Sequence, residues 1–322
     1  MSTSTIQPPK PPKPPKPREQ TPAKAAARRR STRSRREAAA GWGFVAPALA
    51  IVLGLTIFPG VWALVLSFQS WDGFSPATPV GTQNYQDLLT DASLGAAVLH
   101  TGLYTVLFVP ASLLLGLFLA VALNRKIRFI GLYRTAIFVP FVASAAATGI
   151  LTTYLFSPQF GIVNNVLRVL HLPQQGWLED RSEAMLVIIV MSLWGQAAFT
   201  TVIYLAALQD VPGDVIEAAR IDGANSWQTF WRVVWPQLAP VTTFVAIYQT
   251  LQAVQLFDLV YATTRGGPLD ATQTIVYHLW KVAFQNLQFG YGSAIAYGLF
   301  FLTLVTTVIV TVAQRRAGRS TP

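Results

Sequence analysis

Few side chains in this sequence could do chemistry as a group. His100, His171 and His278 lie far apart with neither an HxxxH nor an HExxH spacing, so a metal site would need assembly wholly through tertiary contacts. There are no cysteines, which removes a thiol nucleophile, a thiolate metal site and a disulfide framework together. No Gly-Lys dipeptide occurs, so a phosphate loop of the Gly-x-x-x-x-Gly-Lys-Ser/Thr kind is absent. Paired carboxylates and a Ser-His set are missing as well, which argues against a membrane enzyme. What remains is a set of uncharged polar side chains inside long apolar stretches. Ser192, Gln196 and Phe199 share a helix face by their spacing of four and three, and Gln249, Gln252 and Leu256 share another, with Ala253 between them. Polar groups are costly in hydrocarbon, so these should face a cavity; the alternative for any one glutamine is a hydrogen bond to a neighbouring helix. Asp258 is the one carboxylate deep in such a stretch, suited to structural pairing or to coupling an ion.

The elements that must position them are membrane helices. Of 322 residues 52% are hydrophobic and only 12% charged, against roughly 25% charged in a soluble domain, which excludes an ordinary water-soluble enzyme. Apolar stretches near 20 residues long run over Phe44 to Phe68, Val98 to Leu123, Thr135 to Phe156, Ala184 to Leu208, Val241 to Thr263 and Tyr291 to Ala313. The expected fold is therefore an all-α integral membrane protein of six transmembrane helices, occupying residues 41–315, between tails at 1–40 and 316–322.

Basic residues orient it. Residues 1–36 hold eleven Lys and Arg against one Glu, a charge of +10 that equals the formal charge of the whole chain. Lys10, Lys13 and Lys16 recur at the period of a polyproline II helix, and Arg28 to Arg36 add a second basic block. That composition predicts a disordered tail held against an anionic cytoplasmic leaflet, in preference to a nucleic-acid arm or a cleavable signal. Arg125, Lys126, Arg128 and Arg134 in one loop, and Arg315, Arg316 and Arg319 near the end, join it on the same side, so both termini are expected in the cytoplasm. On the opposite side, residues 274–289 read as an amphipathic helix too short to cross, covering the rim of the bundle. Its apolar face is Ile275, Val276, Leu279, Trp280, Ala283, Phe284 and Leu287, with His278, Lys281, Gln285 and Gln288 facing elsewhere.

The cytoplasmic loop 209–240 breaks the positive-inside pattern, with Asp210, Asp214, Glu217 and Asp222 against Arg220 and Arg232. Its spacing predicts a two-turn helix with Asp214 as N-cap, Glu217 as the reciprocal member of a capping box and Gly223 as left-handed stop. Asn225 or Ser226 caps a second helix, expected to end at Pro236. Ala218 and Ala219 leave one side of the first helix nearly flat.

Glu217, Ala218, Ala219, then Gly223, Val233 and Pro236 at their spacing form a pattern that resembles the EAA loop of permease subunits of bacterial ABC importers. The wider segments SFQSWDGF, GTQNY, ALQDVPGDVIEAARIDGANSWQTFWRVVWPQLAP, FDLVYATTRGGP and FGYGSAIAY resemble the carbohydrate branch, of the maltose and glycerol phosphate type, over about residues 41–313. Two departures are Trp235, where that branch usually has leucine, and a short second outer loop. The resemblance implies a type I importer fold and transport of a di- or oligosaccharide, or a derivative such as glycerol phosphate, by alternating access. It implies partners as well: a second homologous permease, a dimer of ATPase subunits and an extracytoplasmic sugar-binding protein, in the lipid of a bacterial cytoplasmic membrane and without nucleic acid. ATP and Mg would be used by the partner ATPase, with no cofactor on this chain. Asp214, Glu217, Ala218, Ala219, Asp222, Gly223 and Pro236 would couple to the ATPase, and Ser192, Gln196, Phe199, Gln249, Gln252, Ala253 and Leu256 would meet sugar hydroxyls and ring faces. A secondary transporter driven by an ion gradient is the alternative, for which Asp258 alone is thin support.

Overall fold

The computed structural model describes residues 40–125 and 128–317. The expected tails, 1–40 and 316–322, lie outside these residues except at their inner edges. The chain divides into two compact units, residues 1–61 and 62–322. In the first unit, residues 40–61 belong to helix α1 (Ala40–Leu66), whose side chains, Trp42, Phe44, Leu55 and Phe58 among them, are exposed and apolar, as a lipid-facing helix requires.

The second unit carries everything else. After α1 comes a two-stranded antiparallel ribbon, β1 (Gln69–Ser70) and β2 (Thr78–Pro79), pairing Gln69 with Pro79 and Ser70 with Thr78. The helices follow in order: α2 (Gln83–Thr90), α3 (Ala92–Leu123), α4 (Ile130–Val142), α5 (Ala145–Leu155), α6 (Ile162–Val169), α7 (Ala184–Asp210), α8 (Gly213–Ile221) and α9 (Ser226–Thr229). They continue with α10 (Trp235–Val254), α11 (Asp258–Ala262), α12 (Ile275–Trp280) and α13 (Phe289–Ala317). Among the described residues four helices, α1, α3, α7 and α13, are long and apolar enough to cross a membrane, and α4 with α5 makes a fifth if a pair bent by 104° counts as one span.

The expected third and fifth spans are thus broken. In the third, Ala143 and Ser144 are extended (ψ 140° and 151°) and the Ser144 hydroxyl caps the N–H of Ala147, restarting the helix in a new direction. The fifth, expected over Val241 to Thr263, stops at Val254 and resumes as the single turn α11; the Leu256 carbonyl freed by the break accepts from the Thr274 hydroxyl at 2.7 Å.

A second correction concerns Pro236, which does not end a helix. The chain stays helical from Ser226 to Val254 because residues Phe230–Val234 form a π turn, in which the Trp235 N–H reaches back to the Phe230 carbonyl. Proline has no N–H to donate and its ring collides with the carbonyl four residues back; widening the turn just before it relieves both problems. The same device recurs in α1, where the π turn Leu53–Ile57 immediately precedes Phe58 and Pro59.

The centre is built on α3 and α7. A Cβ added at Gly116 of α3 would lie 2.6 Å from the Thr200 Cβ of α7, so only glycine permits this approach. The close contact brings Ser112 within 3.2 Å of the Thr200 hydroxyl, which also accepts from the Gln249 amide of α10 at 2.8 Å. Thr200 and Gln249 are fully buried, so one hydroxyl joins three helices where no water can replace it.

One end of the bundle is closed by the segments flanking the ribbon. Asn84 donates to the carbonyls of Ser67 and Gln69, Tyr85 pairs with the Ser67 hydroxyl at 2.7 Å, and the Phe289 N–H donates to Trp71. Asp72 accepts from the N–H groups of Phe74 and Ser75 and from the Ser75 hydroxyl, and these bonds, the hydroxyl first, hold its carboxyl at about 2.

Gly116→Ala should cost about 1–3 kcal/mol by overpacking, and Thr200→Val about 1 kcal/mol by stripping the Gln249 amide of its partner. Both would appear as an earlier loss of the monodisperse peak when detergent-solubilised protein is heated before size-exclusion chromatography. An unchanged profile for Gly116→Ala would contradict the close approach of α3 and α7.

Candidate functional site

Both helix breaks open on one cavity of about 390 Å³. Its walls come from α3 (Tyr104, Phe108), the α4–α5 bend (Pro140, Phe141), α7 (Ser192, Gln196) and the α10–α11 break (Gln252, Gln255, Asp258). Four of the seven residues expected to meet a substrate line it: Ser192, Gln196, Gln252 and Leu256. The Gln196 Oε1 has no hydrogen-bond partner. That oxygen is buried, a polar atom left unsatisfied at the cavity wall.

The other three are placed elsewhere. Gln249 is fully buried and donates to Thr200, and Ala253 is 1% exposed within the core beside Tyr104 and Met191, so both belong to the packed seam between helices. Phe199 stands behind the wall. It stacks on Tyr248 at 4.3 Å and on Phe141 at 6.4 Å between ring centroids, bracing the face Phe141 turns to the cavity. Periodicity alone could not separate these, because Gln249, Gln252, Ala253 and Leu256 share a stripe until the helix breaks after Val254. Tyr104, Phe108, Phe141 and Gln255 also line it and were not among the expected contacts; the Pro140–Ser144 pattern, a proline followed by a capping serine inside an apolar span, is the signal that marks the bend. Asp258 is the only charged side chain in the lining.

The second candidate region is the loop between α7 and α10. Its first helix does not begin as expected. Pro212, with extended backbone (φ −59°, ψ 128°), takes the N-cap position without a side-chain cap, so Asp214 falls inside the first turn and no capping box with Glu217 forms. The fixed φ of proline sets the entry angle, and Asp214 still lies at the positive end of the helix, where a carboxylate is favoured. The stop is as expected: Gly223 has φ +84°, with the Gly223 N–H bonded to Arg220 and the Ala224 N–H to Ala219, the paired bonds of a Schellman motif. Asn225 rather than Ser226 caps the next helix, in a reciprocal box with Gln228 at 2.8 and 2.9 Å. No residue of α8 is buried. Asp214, Glu217, Ala218 and Asp222 are exposed, Ala219 is half-buried, and Val215 and Ile221 leave apolar surface between the acids. Pro236, also exposed, lies past the π turn at the foot of α10.

At the opposite end, the short helix α12 differs from its expected role as a rim cover. His278, expected to face away from the apolar side, is 5% exposed. Its Nε2 faces an Asp91 carboxylate oxygen at 3.4 Å with no closer acceptor, its Nδ1 is 3.1 Å from the Gln273 amide, and the Tyr291 hydroxyl donates to Asp91 at 2.8 Å. Asp91 also caps α3 through the N–H groups of Ser93 and Leu94. The Thr101 hydroxyl accepts the Ile275 N–H at 3.0 Å, fixing the start of α12 on α3. Burial works to raise the Asp91 pKa, but the Leu94 N–H, Tyr291, His278 and the Ser93 N–H outweigh it and hold the carboxyl below its usual value. Burial lowers the His278 pKa, and the opposing pull of Asp91 does not restore it.

Broken helices around a polar cavity, joined to an exposed helical loop, define a membrane transport protein. The sequence over residues 112–319 matches the family described as binding-protein-dependent transport system inner membrane component, and the chain belongs to that family, the permease components of ABC transport systems. Among its relatives are the lactose transport system permease protein LacF of Rhizobium radiobacter, 35% identical over 85% of this chain and 94% of that one. Another is the sn-glycerol-3-phosphate transport system permease protein UgpA of Agrobacterium fabrum, 32% identical over 82% and 90%. The fold is that of a bacterial alginate ABC transporter solved in complex with an alginate pentasaccharide-bound periplasmic protein; the superposition has a TM-score of 0.78 at 18% identity and covers 89% of this chain and 97% of the other.

The Asp91–His278 cluster makes stability depend on pH. Both folded pKa values are depressed, so His278 contributes fully above its unfolded value of 6.5 and Asp91 above about 3.9, and each contribution is lost as pH falls through the folded value. Lys281 and Asp270, themselves 3.8 Å apart, also bear on His278, with Lys281 favouring the neutral ring and Asp270 the charged one. The protection of α12 amides against hydrogen exchange, taken relative to the intrinsic rate at each pH, should therefore fall between pH 7 and pH 5. His278→Asn should remove most of that fall, and a variant that keeps it would place the titrating group elsewhere.

Proposed function

We propose that this chain is one of two permease subunits in an ATP-driven importer of a neutral di- or oligosaccharide. It would work in the cytoplasmic membrane with both termini inside, beside a second homologous permease, an ATPase dimer that consumes Mg-ATP, and an extracytoplasmic sugar-binding protein. The observation that carries this reading is covalent continuity. The two helices that contribute Ser192, Gln196 and Gln252 to the cavity, α7 and α10, are the two that leave the α8 unit, one through Val211 and Pro212 and the other as unbroken helix from Ser226. A push on the exposed acidic face of α8 would reach both cavity walls at once, which is how closure of two ATPase subunits would bias the bundle between inward- and outward-facing states.

The substrate class follows from the lining. Ser192, Gln196, Gln252 and Gln255 supply hydroxyl and amide groups, Phe141 supplies a ring face, and no Lys or Arg lines the cavity. A phosphate-bearing substrate would meet Asp258 with no counter-charge from this chain, so a neutral sugar is favoured over glycerol phosphate. Coupling to an ion gradient would call for titratable groups in series across the span, and the lining offers Asp258 alone.

Reconstituted with its partners, the chain should take up sugar only when vesicles contain Mg-ATP; uptake driven by an ion gradient without nucleotide would refute the proposal. Since Glu217 makes no capping bond, Glu217→Ala and Glu217→Gln should both leave thermal stability within about 0.5 kcal/mol while cutting sugar-stimulated ATP hydrolysis and uptake at least tenfold. Gly223→Ala should cost about 1 kcal/mol through its positive φ alone, since nothing lies near the added Cβ. Wild-type transport by both Glu217 variants would show that α8 does not carry the coupling.

A further inference from the structure

At the end of the bundle that carries the α8 loop, α3, α4 and α7 enclose a cavity of about 520 Å³ that the transport reading does not use. It is lined by Arg125, Arg128 and Arg134, with Asn124 and Gln209 between them, and by no carboxylate. All three arginines are exposed, and among the described residues none forms an ion pair. Arg128 lies 5.3 Å over the ring of Phe129, an interaction with the face of the guanidinium that leaves its N–H edge free to donate. Three guanidinium-bearing residues lining one cavity without a counter-ion make a site for an anion with several oxygens, such as a phosphodiester.

What kind of phosphate is decided by the neighbouring surface. Arg134 is shared with a second, apolar groove of about 650 Å³ running along α4, lined by Thr135, Phe138, Val139, Val142 and Ala143. Arg134, Phe138 and Val142 are four residues apart and form one row on the helix, about 12 Å from end to end. Val139 and Val142 are 61% and 81% exposed, and Phe129 and Leu132, beside the arginines, are 70% and 71% exposed. A soluble anion would gain nothing from that row. A phospholipid would place its phosphate among the arginines and one acyl chain along Phe138, Val139 and Val142, matching charge to charge and hydrocarbon to hydrocarbon.

We propose that Arg125, Arg128 and Arg134, with the apolar row of α4, form a binding site for one anionic phospholipid. The site is independent of which sugar is carried. A single seated lipid would hold the ends of α3, α4 and α7 at a fixed depth, directly beside the start of the α8 loop at Gln209.

The test uses the full chain, in which the basic tail is a constant background. Delipidated protein is titrated in detergent with dioleoyl phosphatidylglycerol and, separately, with dioleoyl phosphatidylcholine, and bound lipid is counted by native mass spectrometry. We expect one tight phosphatidylglycerol adduct that phosphatidylcholine does not reproduce. In Arg125→Gln/Arg128→Gln/Arg134→Gln its affinity should fall tenfold or more, taking about fivefold for each basic group as a guide. Val139→Gln/Val142→Gln, at two exposed positions, guards against misfolding of the triple variant and should weaken the lipid several-fold. Free glycerol phosphate at millimolar concentration should not displace the adduct; displacement would mark a soluble-anion site and overturn the proposal. Equal binding of phosphatidylcholine, an unchanged adduct in both variants, or release of the lipid on adding ATPase subunits would overturn it as well, the last by showing that the arginines serve a protein partner.

Discussion

Inside hydrocarbon an unpaired backbone N–H or C=O costs several kcal/mol, so a membrane helix can stop only where something else accepts its hydrogen bonds. That constraint organises this chain. Its two interruptions, at Ala143–Ser144 and after Val254, face one shared cavity and are repaired from within: Ser144 caps the helix that follows it, and Thr274 takes up the carbonyl of Leu256. Thr274 is itself the N-cap of α12. Helix α12 is therefore anchored to the break that it helps to repair.

The unbroken helices have the complementary task. Gly116 and Thr200 draw α3 and α7 into contact, and Gln249 ties α10 to them at the same hydroxyl, so rigidity is concentrated at one level of the bundle. Above that level lies the cavity with its broken walls, and beyond the other ends of α7 and α10 lies the exposed α8 unit. Polar side chains of one type serve both purposes: Gln249 donates to Thr200 within the packed seam, while Gln196 lines the cavity.

The sequence made some of this legible and hid the rest for definite reasons. Helical content, the apolar spans and the stop at Gly223 could be read because each depends on local composition or on a backbone angle that one residue type tolerates. Asp214 was misread because proline at 212 pre-empts the cap position two residues earlier, and Pro236 because a π turn has no sequence signature as plain as proline itself. Gln249 and Ala253 carried the spacing of cavity residues, yet the break that separates them from Gln252 and Leu256 is stabilised by Thr274, which is distant in sequence. His278 reads as facing away from the apolar side because its partner Asp91 is distant in sequence. Non-local contacts decide which of several equivalent polar positions faces the cavity, and a single sequence does not display them.

The π turn at Phe230–Val234 holds one residue more than an ordinary helical turn, and its presence sets a phase as well as accommodating Pro236. An α-helix advances about 100° per residue and a π turn about 82°, so the wider turn absorbs its extra residue and the α8 unit projects from α10 at nearly the azimuth of a helix one residue shorter. Winding the same five residues as ordinary α-helix would keep the membrane segment and the loop, but aim the loop about 90° away. The aim of the acidic helix is thus an angular coordinate held by the winding of one turn, separable from the composition of either part it joins.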